Sequence, residues 1–153
     1  MSLKCIGYWF EDKRHGHGTY TYQKDIGSIY TGSWKEGLRH GKGTLILKDG
    51  GMYEGDFDNE KQTGRGVLIY NDKERYEGNF VDGHRHGSGT LNERDGTIYE
   101  GEFRNDLKHG RGKLKYADGS AFVGLWENGQ TFGKGYYVMN QEHNRIRLRT
   151  FGF

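Results

Sequence analysis

The residues of this chain that can do chemistry are seven histidines, one cysteine and a large set of carboxylates. Histidine ligates metals or moves protons near neutral pH, so its spacing comes first. His15, His40, His86 and His109 each stand directly before Gly-x-Gly. Their separation is therefore set by that pattern and not by a common ligand. If two strands at ~4.8 Å each separate successive copies, the rings are about 10 Å apart, too far to share a zinc that binds nitrogen at ~2.0–2.1 Å. His15 with His17, or His84 with His86, supplies two ligands at most. Glu100 and Glu102 stand opposite Arg111 and Lys113, which reads as solvated cross-strand pairing and not as an acid–base pair. Cys5 occupies the position of a packed ring, and as the lone cysteine it excludes an internal disulfide and fits a reducing compartment. No serine sits in a nucleophile elbow, and no phosphate-binding glycine loop leads into a helix. The expectation is no catalytic residue, no metal and no cofactor, hence no enzyme.

What repeats is larger than the histidine motif. Aromatic, any, Gly, any, aromatic, a polar turn and His-Gly-x-Gly recur from Cys5, Tyr30, Tyr53, Tyr76, Tyr99 and Phe122. A fixed short period means one small structural unit stacked on copies of itself. Within a copy, Tyr76, Gly78 and Phe80 alternate with Glu77 and Asn79, the period of a strand. Gly87, Gly89 and Leu91 continue the first face on a second strand, and Ser88 and Thr90 the other. The stretch from Lys35 to His40 reads as the turn between strands, with Asp82-Gly83 and Asn128-Gly129 supplying the positive φ of a tight reversal elsewhere. Asp49-Gly50, Asp95-Gly96 and Asp118-Gly119 reverse the chain between copies. Several glycines per copy argue against helix at about 1 kcal/mol each, and the absence of proline leaves every strand able to pair.

Tyr30-Thr-Gly-Ser-Trp34 followed by His40-Gly-Lys-Gly43 resembles the MORN repeat (membrane occupation and recognition nexus), as do the copies at Tyr53, Tyr76 and Tyr99. The similarity covers roughly residues 5–140, with residues 1–4 as a lead-in and 141–153 as a C-terminal strand or cap. Copy one departs with Cys5 for Tyr and Asp12 for the turn Gly. Copy three has Thr63 for His, and copy six has Phe122 for Tyr and Phe132 for His. The implied fold is all-β: an elongated, single-layer, twisted antiparallel sheet of tandem hairpins. Such arrays occur in cytoskeletal, flagellar and membrane-junction proteins and beside catalytic domains, so the resemblance implies a non-enzymatic scaffold or adaptor. Its alternatives are a peripheral module for phosphoinositide or anionic lipid, and an accessory repeat domain of a larger enzyme.

A hydrophobic content of 32% and a mean hydropathy of −0.99 lean toward disorder. Yet the 27 glycines and the 14% of aromatic residues are locked to the repeat, so the expected core is rings lying on glycines. Net charge of +2 gives no bulk affinity for nucleic acid. No apolar run approaches the ~18 residues of a membrane span, and nothing resembles a signal peptide. The expected location is the cytoplasm, in association with cytoskeleton or membrane.

A single layer about five residues wide is expected to leave some rings open. Tyr53, Phe57, Tyr76, Phe80, Tyr99 and Phe103 are therefore the expected partner-binding groove, taking a peptide or helix segment. Arg39, Arg85, Lys108 and Arg111 form the candidate ridge for anionic phospholipid. Ile146 and Leu148, alternating with Arg145, Arg147 and Arg149, are expected to fold back on Tyr136 to Met139, or to join two molecules as a homodimer through the C-terminal edge.

Overall fold

The computed structural model describes residues 5–22, 27–139 and 150–151, with Cys5, Thr150 and Phe151 described in their backbone alone. The strands are β1 (Cys5–Phe10), β2 (Lys13–Thr21), β3 (Ile29–Lys35), β4 (Leu38–Ile46), β5 (Met52–Asp58), β6 (Lys61–Ile69), β7 (Arg75–Val81), β8 (His84–Asn92), β9 (Ile98–Arg104), β10 (Leu107–Lys115), β11 (Ala121–Glu127), β12 (Gln130–Val138) and β13 (Thr150–Phe151). No helix occurs among the described residues. The strands hydrogen-bond in sequence order as one antiparallel sheet. By its contacts the chain forms two compact units, Met1–Lys73 with Phe80–Gly83 and Glu74–Asn79 with His84–Phe153.

Each copy is a hairpin closed by two residues of positive φ, such as Glu36 (52°) and Gly37 (85°), or Asn105 (48°) and Asp106 (68°). This is the reversal whose twist matches the strands it joins. The turn expected from Lys35 to His40 is thus only Glu36-Gly37, because the strands run on to either side of it. Each of the five later turns also ties its hairpin to the preceding one. The N–H of Gly37 donates to the Arg14 carbonyl at 2.9 Å, Glu60 to Arg39 at 3.1 Å and Gly83 to Gln62 at 2.9 Å in the first unit. Asp106 to Arg85 at 3.0 Å and Gly129 to Lys108 at 2.9 Å do the same in the second.

The two glycines of His-Gly-x-Gly have different tasks. Gly110, at φ 57°, and Arg111 have no partner in β9, since pairing jumps from His109↔Glu102 to Gly112↔Gly101. That is a β-bulge, and the left-handed backbone needs glycine. The second glycine lies under a ring. A Cβ on Gly66 would stand 2.5 Å from the Tyr53 hydroxyl, and one on Gly55 would stand 2.5 Å from the same atom. Gly55 and Gly66 are cross-strand partners, so one tyrosine covers both.

Rings then close over rings. In the first unit Trp34, Tyr30, Phe57, Tyr53 and Phe80 meet edge to face in that order, with centroids 4.9–5.1 Å apart. In the second, Tyr76, Phe103, Tyr99 and Trp126 do the same at 5.0–5.1 Å. Each such pair adds about 0.5–1.5 kcal/mol beyond the area it buries. The tyrosine hydroxyls are satisfied locally: Tyr30, Tyr53, Tyr76 and Tyr99 donate to the carbonyls of Ser33, Asp56, Asn79 and Glu102, each at 3.0 Å.

At the C-terminal edge the chain does return to β12, through Thr150–Phe151 pairing with Tyr136 and Gly135. The expectation for residues 145–149 lies outside the described residues, as does that for the Cys5 side chain. Replacing Gly66 by alanine should destabilise the protein by about 1–3 kcal/mol, as overpacking does. Glu54→Ala, on the solvent side of the same strand pair, should stay within about 0.5 kcal/mol. Paired thermal melts measure both.

Candidate functional site

The rings expected to line an open groove are sealed. Tyr53, Tyr76 and Tyr99 are 0% exposed, Phe57 and Phe80 2%, and Phe103 3%. One layer suffices because a ring flat on two glycines needs no second sheet above it, and the neighbouring Phe or Trp closes its edge. These six residues are core in this fold, and none presents a surface to a partner.

The cations expected to meet lipid form the lid of that core. The Arg39 guanidinium lies 5.2 Å from the Phe57 centroid and 5.8 Å from that of Tyr30. Arg85 sits at 5.5 Å from Phe103 and 5.6 Å from Tyr76. The Lys108 ammonium takes the same place over Tyr99 and Trp126, at 5.2 and 5.4 Å. A carboxylate holds each one. Arg39 Nε donates to Glu60 at 2.8 Å and its Nη2 to the Glu60 carbonyl at 2.9 Å, Arg85 engages Asp106 likewise, and Lys108 pairs with Glu93. Their side chains are only 17%, 15% and 18% exposed. The ridge expectation therefore fails for Arg39, Arg85 and Lys108, whose charge is already neutralised. Arg111 alone of the four is on the opposite face and exposed.

Burial pushes the Asp106 carboxyl up, but bonds from the Arg85 N–H and from His84, with both their charges, outweigh it and hold the group below its usual range. Burial also pushes the Tyr30 and Tyr99 hydroxyls up to about 12, against the lowering influence of Arg39 at Tyr30, and raises Tyr53 as well. Among the described residues no group of three or more His, Cys, Asp or Glu is placed to hold a metal ion. His40 instead meets Asp58 at 3.3 Å and His84 meets Asp106 at 2.6 Å.

What remains open is the face turned away from the rings. Its first-strand positions are Thr31 and Ser33, Glu54 and Asp56, Glu77 and Asn79, then Glu100 and Glu102. In β11 the same two positions are Val123 and Leu125. Cross-strand register sets Val123 between Lys113 and Tyr136, and Leu125 beside Arg111. These residues, with Lys134, border a cleft of about 520 Å³. Leu125 is 40% and Tyr136 41% exposed. A smaller cleft of about 400 Å³ lies on the same face of the first hairpin, between Ile6, Tyr8 and His17. Neither is legible from the repeated ring positions, because both are made by the side chains between them. The signal was present: alternation carries polar side chains at those positions in the second to fifth copies and aliphatic ones in the sixth.

An array of hairpins with a sealed aromatic face and a variable outer face defines a single-layer repeat protein. The MORN repeat model matches residues 5–25, 30–52, 53–75, 76–97, 99–121 and 122–140, and the chain belongs to the MORN repeat family. No curated protein matches its sequence. Among solved structures, the SAS-4 (dCPAP) TCP domain in complex with a Proline Rich Motif of Ana2 (dSTIL) of Drosophila Melanogaster is similar, with a TM-score of 0.51 and 12% identity. The match covers 97% of this chain and 84% of that one, and at such identity it is a likeness of fold.

Two outcomes check this assignment of core and surface. Arg85→Ala should lower stability by about 2 kcal/mol, through lost charge-assisted bonds and ring contacts, whereas Arg111→Ala should change it by less than about 0.5 kcal/mol. Alkali should unfold the protein as the buried tyrosines ionise. Unfolded tyrosine titrates near ~10, so the raised hydroxyls contribute stability that is complete below that pH. It is lost as pH climbs toward about 12. Tyrosinate absorbance and circular dichroism should change together.

Proposed function

We propose that the chain is a non-enzymatic scaffold that holds a segment of a protein partner against the outer face of its sheet. The observation that carries this reading is the sealing of the rings. With the aromatic side closed by its own arginines, the side chains free to recognise another molecule are those between the rings, which differ from copy to copy. The partner segment lies across strands already paired on both sides, so side chains and not open backbone make the contacts. The solved complex of similar fold, whose partner is a proline-rich motif, supports a peptide as the occupant. The neutralisation of Arg39, Arg85 and Lys108 removes the main argument for a lipid module. Location in the cytoplasm beside cytoskeletal or membrane-linked structures is part of the same proposal.

Proximity labelling with the full chain in its own cells should nominate a protein that then forms a stoichiometric complex with the purified chain by calorimetry. A purified chain that binds none of its labelled neighbours, yet pulls down with anionic vesicles in a salt-sensitive way, would mean a lipid module instead.

A further inference from the structure

The cleft on the last hairpin differs from the rest of the outer face in charge as well as polarity. In the second and third hairpins Lys42 is opposite Asp56 in register and pairs with it at 2.8 Å. Arg111 has the same relation to the next hairpin, but its opposite residue is Leu125. Thr44 faces Glu54, whereas Lys113 faces Val123. The substitutions that make the floor apolar thus also remove the carboxylates that would balance its cations. Arg111, Lys113 and Lys134 are exposed, and none forms an ion pair within the described residues. Two carboxylates stand near these three cations: Glu100, opposite Lys113 on the other side, lines the rim, and Glu102 accepts from the Arg111 backbone N–H at 3.1 Å without pairing with its guanidinium.

From this pairing of apolar floor and unbalanced cations we infer that the cleft takes an extended acidic segment of a protein partner, with apolar side chains set between aspartates or glutamates. The inference rests on the scaffold reading above. Charge complementarity selects this occupant over the others. Membrane anchoring needs apolar groups that protrude past the cations, whereas Val123 is half-buried between Lys113 and Tyr136. A second copy of the chain would offer Glu54 with a single half-buried apolar neighbour, Val67, opposite it in register. Its exposed Ile6 and Tyr8 face Thr19 and His15 in register, with His17 beside them, and not carboxylates. Since β11 is hydrogen-bonded to both β10 and β12, the segment cannot add as a strand. It is read by its side chains, the apolar ones meeting Val123, Leu125 and Tyr136 and the acidic ones meeting Arg111 and Lys134.

The test is a random peptide library displayed on phage and selected on the full chain, followed by anisotropy titrations with the enriched peptide. Enriched sequences should carry Asp or Glu on both sides of apolar residues. Leu125→Asp, which restores the residue type that Asp56 has at the equivalent place, should weaken binding at least tenfold with an unchanged melting temperature. Arg111→Glu with Lys134→Glu should do the same and flatten the salt dependence. Thr44→Asp, on the same face of the third strand pair, should leave binding intact. Peptides without acidic bias, or equal binding to Leu125→Asp, would overturn the inference, as would anionic vesicles competing for the cleft. If the native partner binds Leu125→Asp as well as the parent chain, this inference falls and the scaffold reading stands. If no protein or peptide binds at all, both fall.

Discussion

The structure depends on one contact: a tyrosine ring lying flat across two glycines that face each other on neighbouring strands. Glycine in a strand interior costs about 0.5–1 kcal/mol each relative to alanine. Burying the tyrosine and its neighbouring Phe or Trp contributes about 1.5–3 kcal/mol per ring. The ring term wins, but only because no Cβ intervenes. At Gly55 and Gly66 an added carbon would stand 2.5 Å from the tyrosine hydroxyl. A β-sheet ordinarily needs a second layer to bury one face. Here the second layer is the side chain itself, folded down onto its own strand pair.

The lid follows from this packing. A row of edge-to-face rings presents its π-faces outward between repeats, where a planar cation sits well. Arg14, over Tyr20 and Trp34, Arg39, Arg85 and Lys108 fill that place. Two of the turns give up glycine at their second residue to hold these cations. Glu60 at φ 74° and Asp106 at φ 68° accept backbone strain, and their carboxylates then reach the backbone N–H of Arg39 and Arg85 at 2.8 and 2.9 Å. A residue that looks like turn chemistry in the sequence is part of the core's closure.

The hairpins and their faces were legible in the sequence because both rest on short-range patterns: alternation, a fixed period, and Asp-Gly or Asn-Gly reversals. The bulge at the first glycine of His-Gly-x-Gly was not, since one glycine under a ring and one with positive φ look the same in a string of letters. Openness of the groove was misjudged for a related reason. Strand width bounds how much a flat sheet can cover, but it does not reveal that Tyr53 folds down over Gly55 and Gly66. The roles of Arg39 and Arg85 could not be read either, because their partners Glu60 and Asp106 lie 21 residues further along the chain, in the turn of the next copy.

This division of labour separates folding from recognition. Every residue that the hairpin needs, from Tyr99 and Gly101 to Gly112 and Phe103, lies on the ring face or in the turns. The residues between them point the other way, and Glu102 reaches the framework only at the bulge, where it accepts from the Arg111 N–H at 3.1 Å. Glu100 and Glu102 in one copy and Val123 and Leu125 in the next are therefore exchangeable with little effect on the fold, and Phe122 keeps its place over Gly124 and Gly135 in either case. In a compact two-layer domain, a change from carboxylate to leucine beside the core would disturb packing. In this sheet it changes only what the outer face can bind. A repeat that looks uniform by its motif can thus carry a different surface in each copy, and the copy whose outer side chains depart furthest from the rest is where recognition is most cheaply acquired.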